Sequence, residues 1–232
     1  TGLAATALLV GVVTAMLAST APWQLLDARI FDYLSTVMSP ELPAGGPVIV
    51  AIDEPSLAEI GKQWPWPRDL HAQLVAALRK AGANAIALDI IFSEPSDQQA
   101  DSALAAVMGP DVVLASDISV IETAQASQLL RTEPLPELMA SEARSGVASI
   151  VLDRDGATRR IPSYEDGFAR RLLGAEANVP AGALMQSFGP PRTYPTVSYY
   201  QALDPDAFLP PDTFRGRPVI VGLSMQAAPK TD

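Results

Sequence analysis

The chain has 232 residues, with 26 acidic against 16 basic side chains for a formal charge of −10, and it has no cysteine. That length buries a core for one large domain or two small ones. The acidic balance argues against nucleic acid as a partner, and the lack of cysteine excludes disulfides and thiolate metal sites. A single histidine, His71, leaves little room for histidine-based catalysis or zinc binding.

Residues 1–26 carry no charge, and residues 3–17 are almost wholly apolar. About 20 helical residues, at roughly 1.5 Å each, cross the ~30 Å hydrocarbon core of a bilayer. Trp23 is placed as an interfacial aromatic just before Asp27, so residues 1–25 are expected to form a transmembrane helix. A cleaved signal peptide is the competing reading, because residues 18–21 are small. Pro22 suits the first turn of a second helix over 23–34, with Leu26, Ile30, Tyr33 and Leu34 apolar. The turn-rich stretch 40–47 completes a juxtamembrane helix and linker, 26–47.

Residues 48–52 are an apolar, β-branched run of strand length, suited to burial on both faces of a parallel sheet. Asp53 and Glu54 follow at its end, then a long loop bearing Trp64-Pro65-Trp66-Pro67, then Arg68. From Arg68 a helix is expected, buried along Leu70, Leu74, Val75 and Leu78. A second strand is expected over 85–91, with Asp89 in its carboxyl half, and the connection is long enough for a right-handed crossover. Ser96 or Asp97 can cap a helix over 100–108. A third strand, 111–116, is again followed by an acid, Asp117. Residues 121–142 read as loop with short helix. The segments 146–152 and 158–164 flank Asp153-Arg154-Asp155-Gly156 and read as a β-hairpin, with a calcium loop as the alternative that Arg154 disfavours. A helix over 168–177, a Gly- and Pro-rich stretch 180–195, a short helix near 199–203 and a buried strand 218–223 complete the pattern. The fold class is therefore α/β: a mainly parallel sheet flanked by helices, with an added β-hairpin and one N-terminal transmembrane helix before it.

Several pieces taken together resemble the extracytoplasmic sensor family called CHASE, type two (cyclase/histidine-kinase-associated sensory extracellular domain). They are Leu26-Asp27-Ala28-Arg29 with Phe31-Asp32, and Val50-Ala51-Ile52-Asp53-Glu54 with Ser56-Leu57. Trp64-Pro65-Trp66-Pro67-Arg68 is the most specific piece. Leu88-Asp89-Ile90-Ile91-Phe92, Glu94-Pro95 and Asp101 follow, then Asp153-Arg154-Asp155-Gly156 with Arg159, Val197-Ser198-Tyr199-Tyr200 and residues 217–224. The resemblance implies a bacterial membrane receptor whose sensor, here 48–232, lies outside the cytoplasm at the inner or plasma membrane. It also implies that the chain ends before the last sensor helix and three further membrane spans. The implied output is a class III adenylate or guanylate cyclase, or else a histidine or Ser/Thr kinase. A homodimer is expected on the same grounds, together with the bilayer and an unidentified small extracellular ligand as partners.

Asp53, Asp89, Asp117 and Ser224 each stand at the end of an expected parallel strand, the edge where open α/β sheets bind ligands. With Glu54, Trp64, Trp66 and Arg68 they form the candidate ligand site: two aromatic walls and a fixed cation. The opposing reading makes Arg68 a buried strut paired with Asp53 or Asp89. A metal-dependent hydrolase using Asp53, Glu54 and Asp89 is an alternative of another class, but no nucleophile, phosphate loop or HExxH motif accompanies them. No cofactor, resident metal or catalytic residue is expected in this region. His71 reads as a surface histidine, with an exterior pH sensor as the sharper alternative. A further alternative is a pure dimerisation module, with Phe31, Tyr33 and Leu34 in a coiled seam.

Overall fold

Two helices lead into the domain, α1 (Gly2–Ala18) and α2 (Ala21–Val37). They meet at a 77° bend, where Ser19 and Thr20 turn their hydroxyls back onto the Met16 and Leu17 carbonyls and Pro22 enters the first turn of α2. Among the described residues no single helix is long and apolar enough to cross a membrane; the bent pair passes that test together, by length and composition. The uninterrupted span expected over 1–25 is thus two helices, because Pro22 lacks the N–H that would continue the ladder. The computed structural model describes residues 2–122, 126–174 and 182–224.

Beyond the linker the elements run β1 (Val48–Ile52), α3 (Glu54–Ile60), α4 (Arg68–Lys80), β2 (Ala85–Leu88), α5 (Gln98–Ala106), β3 (Val112–Glu122), β4 (Ser127–Thr132), α6 (Pro136–Met139), β5 (Arg144–Val147), α7 (Phe168–Leu173), β6 (Thr196–Ser198), α8 (Tyr199–Leu203), α9 (Pro205–Phe208) and β7 (Pro218–Leu223). Among the described residues they build one seven-stranded sheet in the order β4-β3-β2-β7-β1-β6, with β5 also on β3. Every pairing is parallel except β3 with β4. The mainly parallel α/β expectation therefore holds, and all the parallel strands finish on one edge.

The apolar runs explain the layers. Val48, Val50 and Ile52 point to one face with Ile86, Leu88, Val219 and Val221, and there they meet Leu74, Val75 and Leu78 of α4 and Leu104 of α5 in the main core. Truncating one such leucine to alanine costs about 2–5 kcal/mol. The opposite face is thinner: Ala85, Ala87 and Val113 meet Leu172 and Phe168 of α7. Gly146 of β5 lets α7 come this close, since a Cβ there would lie 2.7 Å from the Phe168 Cα.

Two expectations are corrected. The hairpin is not at 146–164: those flanks go elsewhere, β5 onto β3 and Arg160 across to Leu184, although Asp153 N–H still closes a turn onto the Ala157 carbonyl. The antiparallel ribbon is instead β3–β4, in the stretch read as loop with short helix. Val120 faces Leu129 across it, Ile121 and Leu130 lie on its other face, and all four are exposed. Second, the long loop 55–67 contains α3, which Asp53 caps and Gly61 ends in the left-handed conformation at φ 64. The expected continuation of α7 to residue 177 and the terminal loop from 225 lie outside the described residues.

Candidate functional site

The strand ends place Asp53, Asp89 and Ser224 on the carboxyl edge; Asp117 instead lies within β3, which runs past the expected end at residue 116 to Glu122 as it pairs with β4, and the side chains do not form one site. Asp53 is buried and fully engaged: Oδ1 accepts from the Ser56 N–H at 3.1 Å and its hydroxyl at 2.6 Å, and Oδ2 accepts from the Ser198 hydroxyl at 2.7 Å. It is an N-cap that also ties β6 to β1. Glu54 is the exposed first residue of α3, where a carboxylate suits the helix dipole. Asp117 accepts from the Ser119 and Ser149 hydroxyls, both at 2.6 Å, and these bonds hold its carboxyl below the usual range. Asp89 stands over Gly222, which leaves room for its side chain; burial of its carboxyl raises it, although the residue keeps an exposed surface. Strand alternation puts Asp89 on the thin α7 face. Ser224 lines a separate cavity of about 440 Å³ with Ile49, Phe188, Arg192 and Tyr194.

The aromatic loop lies on the other side of the sheet, in the main core. Trp66 is buried, donates from Nε1 to the Lys62 carbonyl at 3.1 Å, and packs on Tyr199 with ring centres 4.8 Å apart. Trp64 meets Trp66 edge-on at 5.4 Å. Arg68 is buried too, but its partner is neither Asp53 nor Asp89: Nη1 donates to Asp101 Oδ1 at 2.7 Å, Nη2 donates to the Glu94 carbonyl, and the guanidinium lies 5.4 Å from the Phe92 ring centre. Burial alone would raise the Asp101 carboxyl, but the Ser96 hydroxyl and N–H, with the Arg68 charge, hold it below its usual range. Arg68 therefore straps the start of α4 to the loop before α5. The sheet separates this cluster from Asp89.

His71 is not at the surface. It sits beneath the tryptophans with Nδ1 2.8 Å from the Tyr199 hydroxyl, and burial, aided by the Arg68 charge, lowers its pKa to about 4. The hydrolase alternative fails on geometry: Asp53 is spent on structural bonds, and among the described residues no group of three His, Cys, Asp or Glu could hold a metal ion.

A second constellation is one the sequence separated widely. Arg159, itself buried, is gripped by three carboxylates: Asp32 of α2 through Nε and Nη2, Asp153 at 3.0 Å, and Asp155 at 2.7 Å. The turn that looked like a hairpin tip or a calcium loop is thus a socket for an internal cation. Arg159 donates to Asp32 and Asp155 and holds both carboxyls below the usual range. Beside the clamp, α2 and the 153–160 segment enclose a cavity of about 490 Å³, lined by Leu25, Ala28, Phe31, Arg154, Arg160 and Leu184 among others. Phe31 faces the domain here, so it cannot belong to an outward seam. The resemblance had singled out Asp32, Asp153, Asp155 and Arg159 as separate pieces; only the fold shows them as one object.

The family model that matches this chain, over residues 5–231, is described as the CHASE2 domain. No curated protein and no solved structure matches it.

Proposed function

The chain belongs to the CHASE2 family of extracytoplasmic sensory domains of membrane signalling receptors, and from that premise we propose that it governs a cytoplasmic class III adenylate or guanylate cyclase through α1 as its membrane anchor. The choice of a cyclase output rests on the family resemblance alone; the observation that supports coupling through the N-terminal helices is the Arg159 clamp. It binds the domain to α2, which meets the uncharged α1 at the 77° bend. A sensor acts across a membrane only by favouring one arrangement of a connected element over another, and α2 is the connected element here.

Signal reception belongs, on this reading, to the carboxyl edge, where Asp89 and Ser224 keep exposed surface. Asp53, Trp66 and Arg68 support that edge from within and do not touch the ligand. The test uses the full-length receptor in membranes. Cyclic nucleotide production should be present, and Arg159→Gln should change its basal level severalfold while the receptor stays folded and inserted. Phosphotransfer to a histidine, serine or threonine without cyclic nucleotide would transfer the reading to a kinase output. Unchanged output in Arg159→Gln would remove the clamp from the signalling path.

A further inference from the structure

One face of α2 is held by the domain. Ala28, Phe31, Asp32 and Ser35 are half-buried, and Asp32 is locked to Arg159. At about 100° per residue these four share one side of the helix. On the side away from the domain stand Trp23, Leu26, Ile30, Tyr33, Leu34 and Val37, all between 46% and 67% exposed. They fill an arc of about 100° with no charged residue inside it, and Asp27 and Arg29 mark its two borders. Leu25 lies outside the arc, toward the domain, where it lines the cavity beside the clamp.

Breadth and direction together select what covers this stripe. An arc this wide exceeds the two-position seam of a coiled coil and matches the apolar face of a helix lying at a bilayer surface. The 77° bend turns α2 almost square to α1. With α1 along the bilayer normal, the 17 residues of α2 cover roughly 25 Å and change depth by only about 6 Å. Interfacial helices bury their apolar face to a comparable depth, roughly 5–10 Å. The clamp rules out a span that continues through α2. Such a span would draw Asp27, Arg29 and Asp32, with the domain bound to Asp32, into hydrocarbon. Domain and bilayer therefore take opposite sides of the helix, and α1 buries no residue that would hold it on the domain's side.

We propose that α2 lies along the bilayer surface on the domain's side of the membrane, with Trp23, Leu26, Ile30, Tyr33, Leu34 and Val37 set into the boundary between headgroups and acyl chains. The Arg159–Asp32 clamp on the back of the helix then ties the sensor domain to a lipid-borne element. Trp23 and Tyr33 supply the amphipathic rings that this boundary favours. The position of α2 rests on the proposed anchoring of α1.

The absence of cysteine from this chain gives a direct readout. Single cysteines are placed in the full-length receptor, any cysteine elsewhere being replaced, and labelled with a small fluorophore. The receptor is reconstituted into vesicles of phosphatidylethanolamine and phosphatidylglycerol, with shallow nitroxide-labelled lipid or aqueous iodide as quencher. Labels at 23, 26, 30, 33, 34 and 37 should be quenched severalfold more by the lipid than labels at 24, 28 and 36, and iodide should show the reverse. Ile30→Asp should reduce lipid quenching at 26 and 37 severalfold, while Ile30→Leu should retain it. Unchanged hydrogen exchange across β1 and β2 in both variants separates a lost surface contact from lost folding. Stripe labels shielded from lipid and iodide alike would mean that protein covers them, and equal lipid quenching all round would mean a buried span; either overturns the proposal. A label on Val10→Cys distinguishes its failure from that of the anchor. Lipid-quenched Val10→Cys with stripe labels open to iodide sinks the surface helix and leaves α1 in the membrane. Iodide-quenched Val10→Cys removes the anchor, and the proposal with it.

Discussion

Arg159 and Asp32 lie 127 positions apart and meet as a fork, Nε to Oδ1 at 2.7 Å and Nη2 to Oδ2 at 2.8 Å. Two parallel bonds need a planar guanidinium, which lysine cannot supply. Arg159→Lys keeps the charge and should loosen α2. Hydrogen exchange across residues 24–35 is expected to speed up severalfold, with β1 and β2 unaffected. Identical exchange in both proteins would mean that Leu25 and Phe31 hold the helix by apolar contact alone. Because Arg159 lowers the Asp32 and Asp155 carboxyls, the clamp's contribution is complete above the ordinary carboxylate pKa and declines only as pH falls through the lowered values. Mild acid should leave α2 docked.

His71 is expected to make the fold itself acid-sensitive in a different window. Burial lowers its pKa from 6.5 to about 4, so between those values the unfolded chain binds a proton that the folded chain refuses. Stability is therefore full above pH 6.5 and falls as pH drops toward 4, by of order 3 kcal/mol at about 1.4 kcal/mol per unit. Thermal melts of the wild-type chain should fall across that window, and His71→Gln should flatten the profile. A wild-type melting point independent of pH there would show that His71 titrates normally.

Arg68 and Asp101 form a buried pair with side chains 10% and 3% exposed. Removing either partner leaves a charge with poor solvation, so Arg68→Gln should cost about 3 kcal/mol, within the span for breaking buried pairs. Asp101→Asn should cost a similar amount, and the double substitution less than the sum, as a cycle of melts would record. A loss of signal response in Arg68→Gln with no loss of stability would instead restore Arg68 to a ligand role.

Ser102 on α5 is exposed and distant in sequence from the N-terminal helices. In intact cells, Ser102→Cys should react with a membrane-impermeant maleimide. Labelling only after lysis would place the domain on the cytoplasmic face.

The strands were legible because a parallel sheet buried on both faces imposes continuous apolar runs, and residues 48–52, 85–88 and 218–223 have them. Helix α4 was legible for the related reason that Leu74, Val75 and Leu78 recur at helical spacing over one buried face. Asp53 misled because a carboxylate at a strand end looks alike whether it binds a ligand or caps the next helix; Ser56, three residues on, decides it, through space as well as sequence. Ribbon β3–β4 was invisible because Val120, Ile121, Leu129 and Leu130 do not sort into a buried and a wet face. His71 was misplaced because its burial depends on Trp64, Trp66 and Tyr199, the last 128 positions away. Long-range polar pairs such as Arg159 with Asp32 leave no periodic trace at all.

Strand β4 is bonded on one side only, to β3, and its other row of N–H and C=O groups is open among the described residues. An open row flanked by apolar side chains is a template for a foreign strand. Behaviour in concentrated solution is then set by this rim once α1 is covered: in detergent, which shields the exposed apolar α1, the purified chain should still aggregate through β4. Leu129, 71% exposed, makes no core contact that a longer polar side chain would disturb. Leu129→Lys should raise the concentration at which light scattering first appears while leaving the melting point where it was, and scattering unchanged by that substitution would clear β4 of blame.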